Sequence, residues 1–329
     1  MRILIFICLL VPLELIADGP DFSVSIDSHF HVVSPTNWKS SLLAIRGVID
    51  APIDGDLAEK LLDEAGLSKA VVISSAYLIP DGALARTEND YVASLARTKP
   101  DRFIGMCSVS VHHEGALEEV ERCMKELDLS GLKMHLFADN IDLNLPENVA
   151  LIDSFFKKAA EMQKRLPVLI DFNWMDAGQT MTMMQMAMAN PDTTVIMAHG
   201  LGHHYGEFIN IKILRNLMGD ISNLYTDLSA TLTHYPPDSP RFEDYMWHLR
   251  VMGADKILLG SDYPADTPKN TVDAFLKMGW SPEELQKILG GNAEKLFVRC
   301  TGQTTRSSHP FDSGVVEVDR PVQVRGNSC

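Results

Sequence analysis

Basic residues are scarce in this 329-residue chain. Its 29 lysines and arginines stand against 44 aspartates and glutamates, for a net charge of −15. A surface that tracks nucleic-acid phosphates needs the opposite balance, so that class of partner is excluded. Long-range steering of highly anionic substrates is also disfavoured. Cysteine is sparse, and none of the five forms a CxxC pair, which removes paired-thiol motifs. The single apolar run at the N-terminus is too short to span a membrane, and nothing after it looks transmembrane. No repeat with a period of roughly 20–50 residues is visible, so the chain does not read as a solenoid.

The chain opens with MRILIFICLLVPLELIA, residues 1–17. Arg2 is a minimal charged region, residues 3–13 are apolar, and Leu15-Ile16-Ala17 offers a cleavage site. The segment reads as a secretory signal, and it predicts an exported protein, periplasmic or secreted. Its removal takes one arginine and one glutamate and leaves the net charge unchanged. Cys107 and Cys123 read as small core residues. Cys300 and Cys329 flank the C-terminal tail and could pair in an oxidising compartment.

Between leader and tail, apolar strand-like runs alternate with amphipathic helical runs, the pattern of βα units around a parallel sheet. Eight strands are expected, at 24–31, 70–75, 103–109, 131–135, 168–172, 194–199, 224–229 and 257–262. Ile152, Phe155, Phe156, Ala159 and Met162 share one helical face. Ser281-Pro282-Glu283-Glu284 carries a cap, a first-turn proline and early acids, all helix-start signals. Eight units predict an α/β fold, a single (β/α)8 TIM-type barrel over residues 18–300, with a C-terminal helix. Residues 301–329 lack helical periodicity and read as an irregular tail.

In such a barrel the active groups sit at the C-terminal ends of the strands. Polar residues gather at those positions here: His29 and His31 on the first strand, Lys133 and His135 on the fourth, and Asp171 on the fifth. His199, Asp227 and Asp262 end the sixth, seventh and eighth. In VSIDSHFH, strand alternation would project Asp27, His29 and His31 from one face. Two imidazoles one step apart can grip a divalent ion, although the same spacing also occurs on solvated strands.

IDSHFH, GLKMH, VIMAHGLG and LLGSDYP, in this order on these strands, resemble the amidohydrolase superfamily, nearest its amidohydrolase-related branch. GGNAEKLF, at 290–297, resembles that family's closing helix, and the resemblance covers residues 26–297. It implies a metal held by His29, His31 and Asp262, with water in an open position. Zn2+ is expected, with Mn2+ the alternative, one ion per chain. Asp262 would also accept the water's proton. His199 would ligate the metal or polarise a substrate carbonyl.

Relatives usually carry histidine at the end of the fifth strand, where LPVLIDFNW places Asp171. Two readings follow: a fourth ligand in a His, His, Asp, Asp set, or a substrate-facing acid or base at a weakened site. Lys133 and His135 are expected to contact substrate, with a structural ion pair as the alternative for Lys133. Asp227 could orient a histidine. Trp174 and Tyr263, among the aromatics of the strand-end loops, would favour a small, partly apolar or aromatic substrate. The six methionines of 175–190 read as a packing helix.

The expected reaction is metal-dependent hydrolysis of a small amide, ester or lactone by metal-activated water. One alternative is non-oxidative decarboxylation of an aromatic or unsaturated acid on the same barrel, with Lys133 serving the carboxylate. The other is metal-free lactone hydrolysis, or ligand binding without catalysis. A homo-oligomer is compatible with the sequence; no membrane partner is expected.

Overall fold

The computed structural model describes residues 23–298 apart from residue 220. The leader, the tail and the pairing of Cys300 with Cys329 lie outside the described residues. Eight strands form: β1 (Ile26–Val32), β2 (Lys69–Ser74), β3 (Phe103–Ser108), β4 (Leu132–His135), β5 (Leu166–Asp171), β6 (Thr193–Met197), β7 (Leu224–Asp227) and β8 (Ile257–Leu258). They pair in chain order, all parallel, through seven successive ladders, with helices in the connections. This is the (β/α)8 barrel the sequence predicts.

Alternate strand residues divide into two apolar layers. Val71, Ile73, Met106, Leu169 and Ile196 fill the barrel interior, whereas Val72, Leu132, Val168, Ile170 and Val195 meet the surrounding helices. Both faces are therefore covered, which is why the strands read as near-continuous apolar runs. Helix starts are fixed locally. Asp54, Asp81, Asp176 and Thr267 accept hydrogen bonds from first-turn N–H groups, and Ser281 and Glu284 form a reciprocal capping box. The methionine-rich helix Ala177–Ala189 buries Met183, Met184 and Met186 in the outer layer. The closing helix Asn292–Phe297 presses Ala293 and Phe297 into the interior cluster. Gly290 lets it approach, because a Cβ there would stand 2.1 Å from the Val24 carbonyl oxygen.

Two local departures shape the site. In β1 the register shifts between Asp27 and Phe30. Ile26 faces the interior while Phe30 joins the outer layer. An extra residue in one strand breaks strict alternation, so Asp27 does not project with His29 and His31 as expected. Its Oδ1 instead accepts from the backbone N–H groups of His29 at 3.1 Å and Ser261 at 3.0 Å. In addition, β6 and β8 stop short of His199 and Asp262. Both residues adopt positive φ, 66° and 57°, a conformation outside any strand.

Cys107 and Cys123 are a disulfide, not the separate core residues expected. Cys107 lies on the outward face of β3 and Cys123 on the inward face of the returning helix Ala116–Lys125. Their Cα atoms are 6.0 Å apart, within bridging range. In protein refolded under an oxidising glutathione buffer, alkylation in denaturant should leave both sulfurs unlabelled until reductant is added. Replacing both with alanine should lower unfolding stability by about 3 kcal/mol, the value for a loop of ~15 residues. Full labelling before reduction would refute the bridge.

Candidate active site

β1 brings His29 and His31 to the mouth of the barrel, and the segment after β8 brings Asp262 from the far end of the chain. His29 Nε2 lies 3.2 Å from His31 Nε2 and 3.2 Å from Asp262 Oδ1; His31 Nε2 lies 3.1 Å from the same oxygen. Gly260 makes room, since a Cβ there would stand 2.8 Å from His29 Cβ. Burial pushes the His31 imidazole down to about 4, so it is uncharged at neutral pH. Burial alone would raise the Asp262 carboxyl, but the neighbouring histidines outweigh it and hold it below the usual carboxylate range.

The donor set fits a divalent cation. Bonds of ~2.0–2.2 Å place adjacent donors about 3.0 Å apart at right angles and about 3.4 Å apart at the tetrahedral angle. The observed separations fall between these limits. His29 Nδ1 faces Asp227 Oδ2 at 3.1 Å. A proton on Nδ1 serves that carboxylate and leaves Nε2 as a lone pair. Ser229 Oγ donates to Asp227 Oδ1 and stands 3.1 Å and 3.0 Å from Nδ1 of His29 and His199. Sequence reasoning passed over Ser229; its only signal is its place two residues beyond Asp227.

A second cluster forms around Asp171, outside the His29–His31–Asp262 group. Its Oδ2 lies 3.1 Å from His135 Nε2 and 3.1 Å from His199 Nε2. His135 Nδ1 accepts the Ala138 N–H at 3.2 Å, so its proton sits on Nε2 and points at Asp171. Burial pushes His135 down to about 4. His199 faces acceptors at both nitrogens, Asp171 Oδ2 and the Ser229 carbonyl at 3.2 Å. Burial would lower its pKa, but the Asp171 carboxylate outweighs that and raises it to about 9. His199 is therefore an imidazolium at neutral pH. The same contacts hold Asp171 below the usual carboxylate range against the effect of burial.

His199 opens a run of four positive φ angles, His199 to Gly202. A non-glycine residue in that region costs on the order of 1–3 kcal/mol. The conformation is held by His199 N–H to Asp227 Oδ1 at 3.1 Å and Thr231 Oγ1 to the His199 carbonyl at 2.8 Å. Gly202 lies under the Trp174 ring, where a Cβ would come within 2.2 Å of the indole.

Lys133 is 1 % exposed. Among the described residues its Nζ finds one partner, His29 Nε2 at 3.1 Å, and no carboxylate. Tyr77 packs its ring 5.8 Å from His31 and 5.2 Å from His135. Tyr263 stacks on Phe30 at 5.1 Å. Trp174 sits half-buried, edge-on to His203 at 5.8 Å.

The amidohydrolase family model matches residues 26–299. The chain is 25% identical to a 2-amino-3-carboxymuconate-6-semialdehyde decarboxylase of Dictyostelium discoideum, covering 82% of this chain and 90% of that protein. It is 24% identical to a gamma-resorcylate decarboxylase of a Rhizobium species, covering 74% and 86%. Its fold superposes, with TM-score 0.61 at 18% identity, on a dihydroxybenzoic acid decarboxylase of a Polaromonas species solved with manganese and 2-nitroresorcinol. That match covers 83% of this chain and 96% of the other. These relatives overturn the expectation of amide, ester or lactone hydrolysis: they remove a carboxyl group, and the decarboxylase alternative is the better founded. On the match across nearly all of its barrel, the chain belongs to the amidohydrolase-related family of the amidohydrolase superfamily.

Proposed function

We propose that this protein is a metal-dependent, non-oxidative decarboxylase of a small hydroxylated aromatic or unsaturated acid. The observation that carries this reading is Lys133. Among the described residues Lys133 makes no direct ion pair and acts on Asp171 only through space, so it can still pair with an incoming anion. A substrate carboxylate entering beside His29 supplies that anion. The decarboxylase relatives support the same reading, and the Tyr77 ring beside His31 and His135 suits a planar substrate.

His29, His31 and Asp262 would hold one divalent ion. A mixed imidazole and carboxylate set accepts Mn2+ as well as Zn2+. When bound, the ion supplies Lewis-acid pull on substrate oxygens. Asp262 acts in this scheme as a ligand, and Asp171 as a positioning residue for two imidazoles. The reaction breaks one C–C bond, releases CO2 and leaves an electron pair on carbon, which must take one proton. His199 delivers that proton and recovers it from solvent after product leaves. Asp171 and Ser229 hold its two nitrogens. The mature protein works in an oxidising compartment, a placement supported by the Cys107–Cys123 bridge.

The direct test is CO2 release from 2,6-dihydroxybenzoate and other monocarboxylic hydroxybenzoates by Mn2+-loaded protein. Turnover should vanish on chelation and return with Mn2+. Fully loaded protein that releases CO2 from none of them counts against the proposal. Lys133→Met should keep its metal and lose about 100-fold or more in kcat/KM, with Lys133→Arg recovering part of it. Asp171→Asn should also keep its metal and show kcat lowered by ~10²–10⁴ with KM little changed. Loss of metal from Asp171→Asn would make Asp171 a ligand instead.

A further inference from the structure

The eight strands are joined by seven ladders, and among the described residues none joins β8 to β1. Strand β8 is two residues long. Beyond it, residues 259–263 run beside β1 and close the barrel through scattered contacts. Ser28 donates from its N–H and its Oγ to the Leu259 carbonyl at 2.9 and 2.6 Å. The Asp262 N–H donates to the His29 carbonyl at 2.6 Å, and the His31 N–H to the Tyr263 carbonyl at 3.3 Å. Two of the metal donors, His29 and His31, lie on the β1 side of this seam. The third, Asp262, lies on the other.

We infer that a metal ion at His29, His31 and Asp262 locks the seam of the barrel, and that Asp27 is the residue that positions the two sides for it. This rests on the metal site proposed above. One oxygen of Asp27 spans the seam, accepting the His29 N–H on one side and the Ser261 N–H on the other, 234 residues away. Each bond fixes backbone next to a donor: His29 itself, and the residue before Asp262. The second oxygen, Oδ2, is buried without a hydrogen-bond partner. A single acceptor at this position is therefore enough, which a carboxamide provides and a methyl group does not. Without the ion, the side-chain link from the β1 histidines to Asp262 is the short His31–Asp262 pair, with His29 Nε2 also close to the carboxylate. With it, direct metal bonds to His29 and His31 on one side and Asp262 on the other would tie the two sides more firmly. Support behind a metal ligand typically changes metal affinity by about 10–100-fold.

Hydrogen exchange and metal titration on the full chain test both parts. In wild-type protein, Mn2+ loading should slow exchange in peptides spanning 24–33 and 257–265, and leave those of β3 to β5 unchanged. Competition with a chromophoric chelator should show Asp27→Ala binding Mn2+ about 10–100-fold more weakly, and Asp27→Asn close to wild type. If wild type binds Mn2+ but seam exchange is unaltered, the lock is refuted. If Asp27→Ala, folded by circular dichroism, binds as tightly as wild type, the positioning role is refuted. Should Asp27→Ala fail to fold, the wild-type exchange pattern and Asp27→Asn still decide. Wild type that binds neither Mn2+ nor Zn2+ overturns the metal reading itself, and the inference with it.

Discussion

Two imidazole nitrogens and a carboxylate oxygen lie within 3.2 Å of one another in the barrel mouth, and the other contacts of the site follow from holding them there. His31 and Asp262 pair with each other, and a cation could be shared by all three atoms. Both imidazoles are buried and the carboxylate largely so, which makes an unshared lone pair costly. Asp227 fixes the outward nitrogen of His29. Gly260 removes the side chain that would block His29. Asp262 reaches the cluster only because the chain leaves β8 early and turns through a positive φ.

The fifth strand shows how one residue changes the logic of the mouth. A histidine there would offer a neutral lone pair, whereas Asp171 offers a negative charge. Two imidazoles have moved onto it, His135 through a tautomer set by Ala138 and His199 as a full cation. The carboxylate pairs with both imidazoles, and in the proposed scheme it serves as an electrostatic anchor for them in place of a ligand.

The barrel was legible in the sequence because eight apolar runs, separated by amphipathic helical runs, leave little freedom in topology. The residues of the site were legible by position, since strand ends converge whatever the loops do. Their pairings were not. Period-2 alternation put Asp27 beside His29 and His31, but a register shift in β1 sent it across the seam instead. Cys107 and Cys123 each read as core, and only the return of a helix over β3 brings them together. Ser229 carried no motif at all, although it touches His29, His199 and Asp227. The reaction was misread for a related reason. Donor types specify a metal, and the same donors serve hydrolysis and decarboxylation. In the proposed scheme the group that separates them is Lys133, and only the structure shows that it makes no direct ion pair among the described residues.

Charge balance shows why the mouth suits a cation. Around the donor set, Asp171, Asp227 and Asp262 are held below the usual carboxylate range by neighbouring imidazoles. His199, raised by Asp171, opposes part of that negative charge. Burial pushes Asp27 up, so it adds less to the excess than the other three. A divalent ion held by His29, His31 and Asp262 would offset what remains in a buried site, where an unbalanced charge is costly. The overall charge of −15 is spread across the chain and screened beyond about a Debye length, so it does not set this local balance.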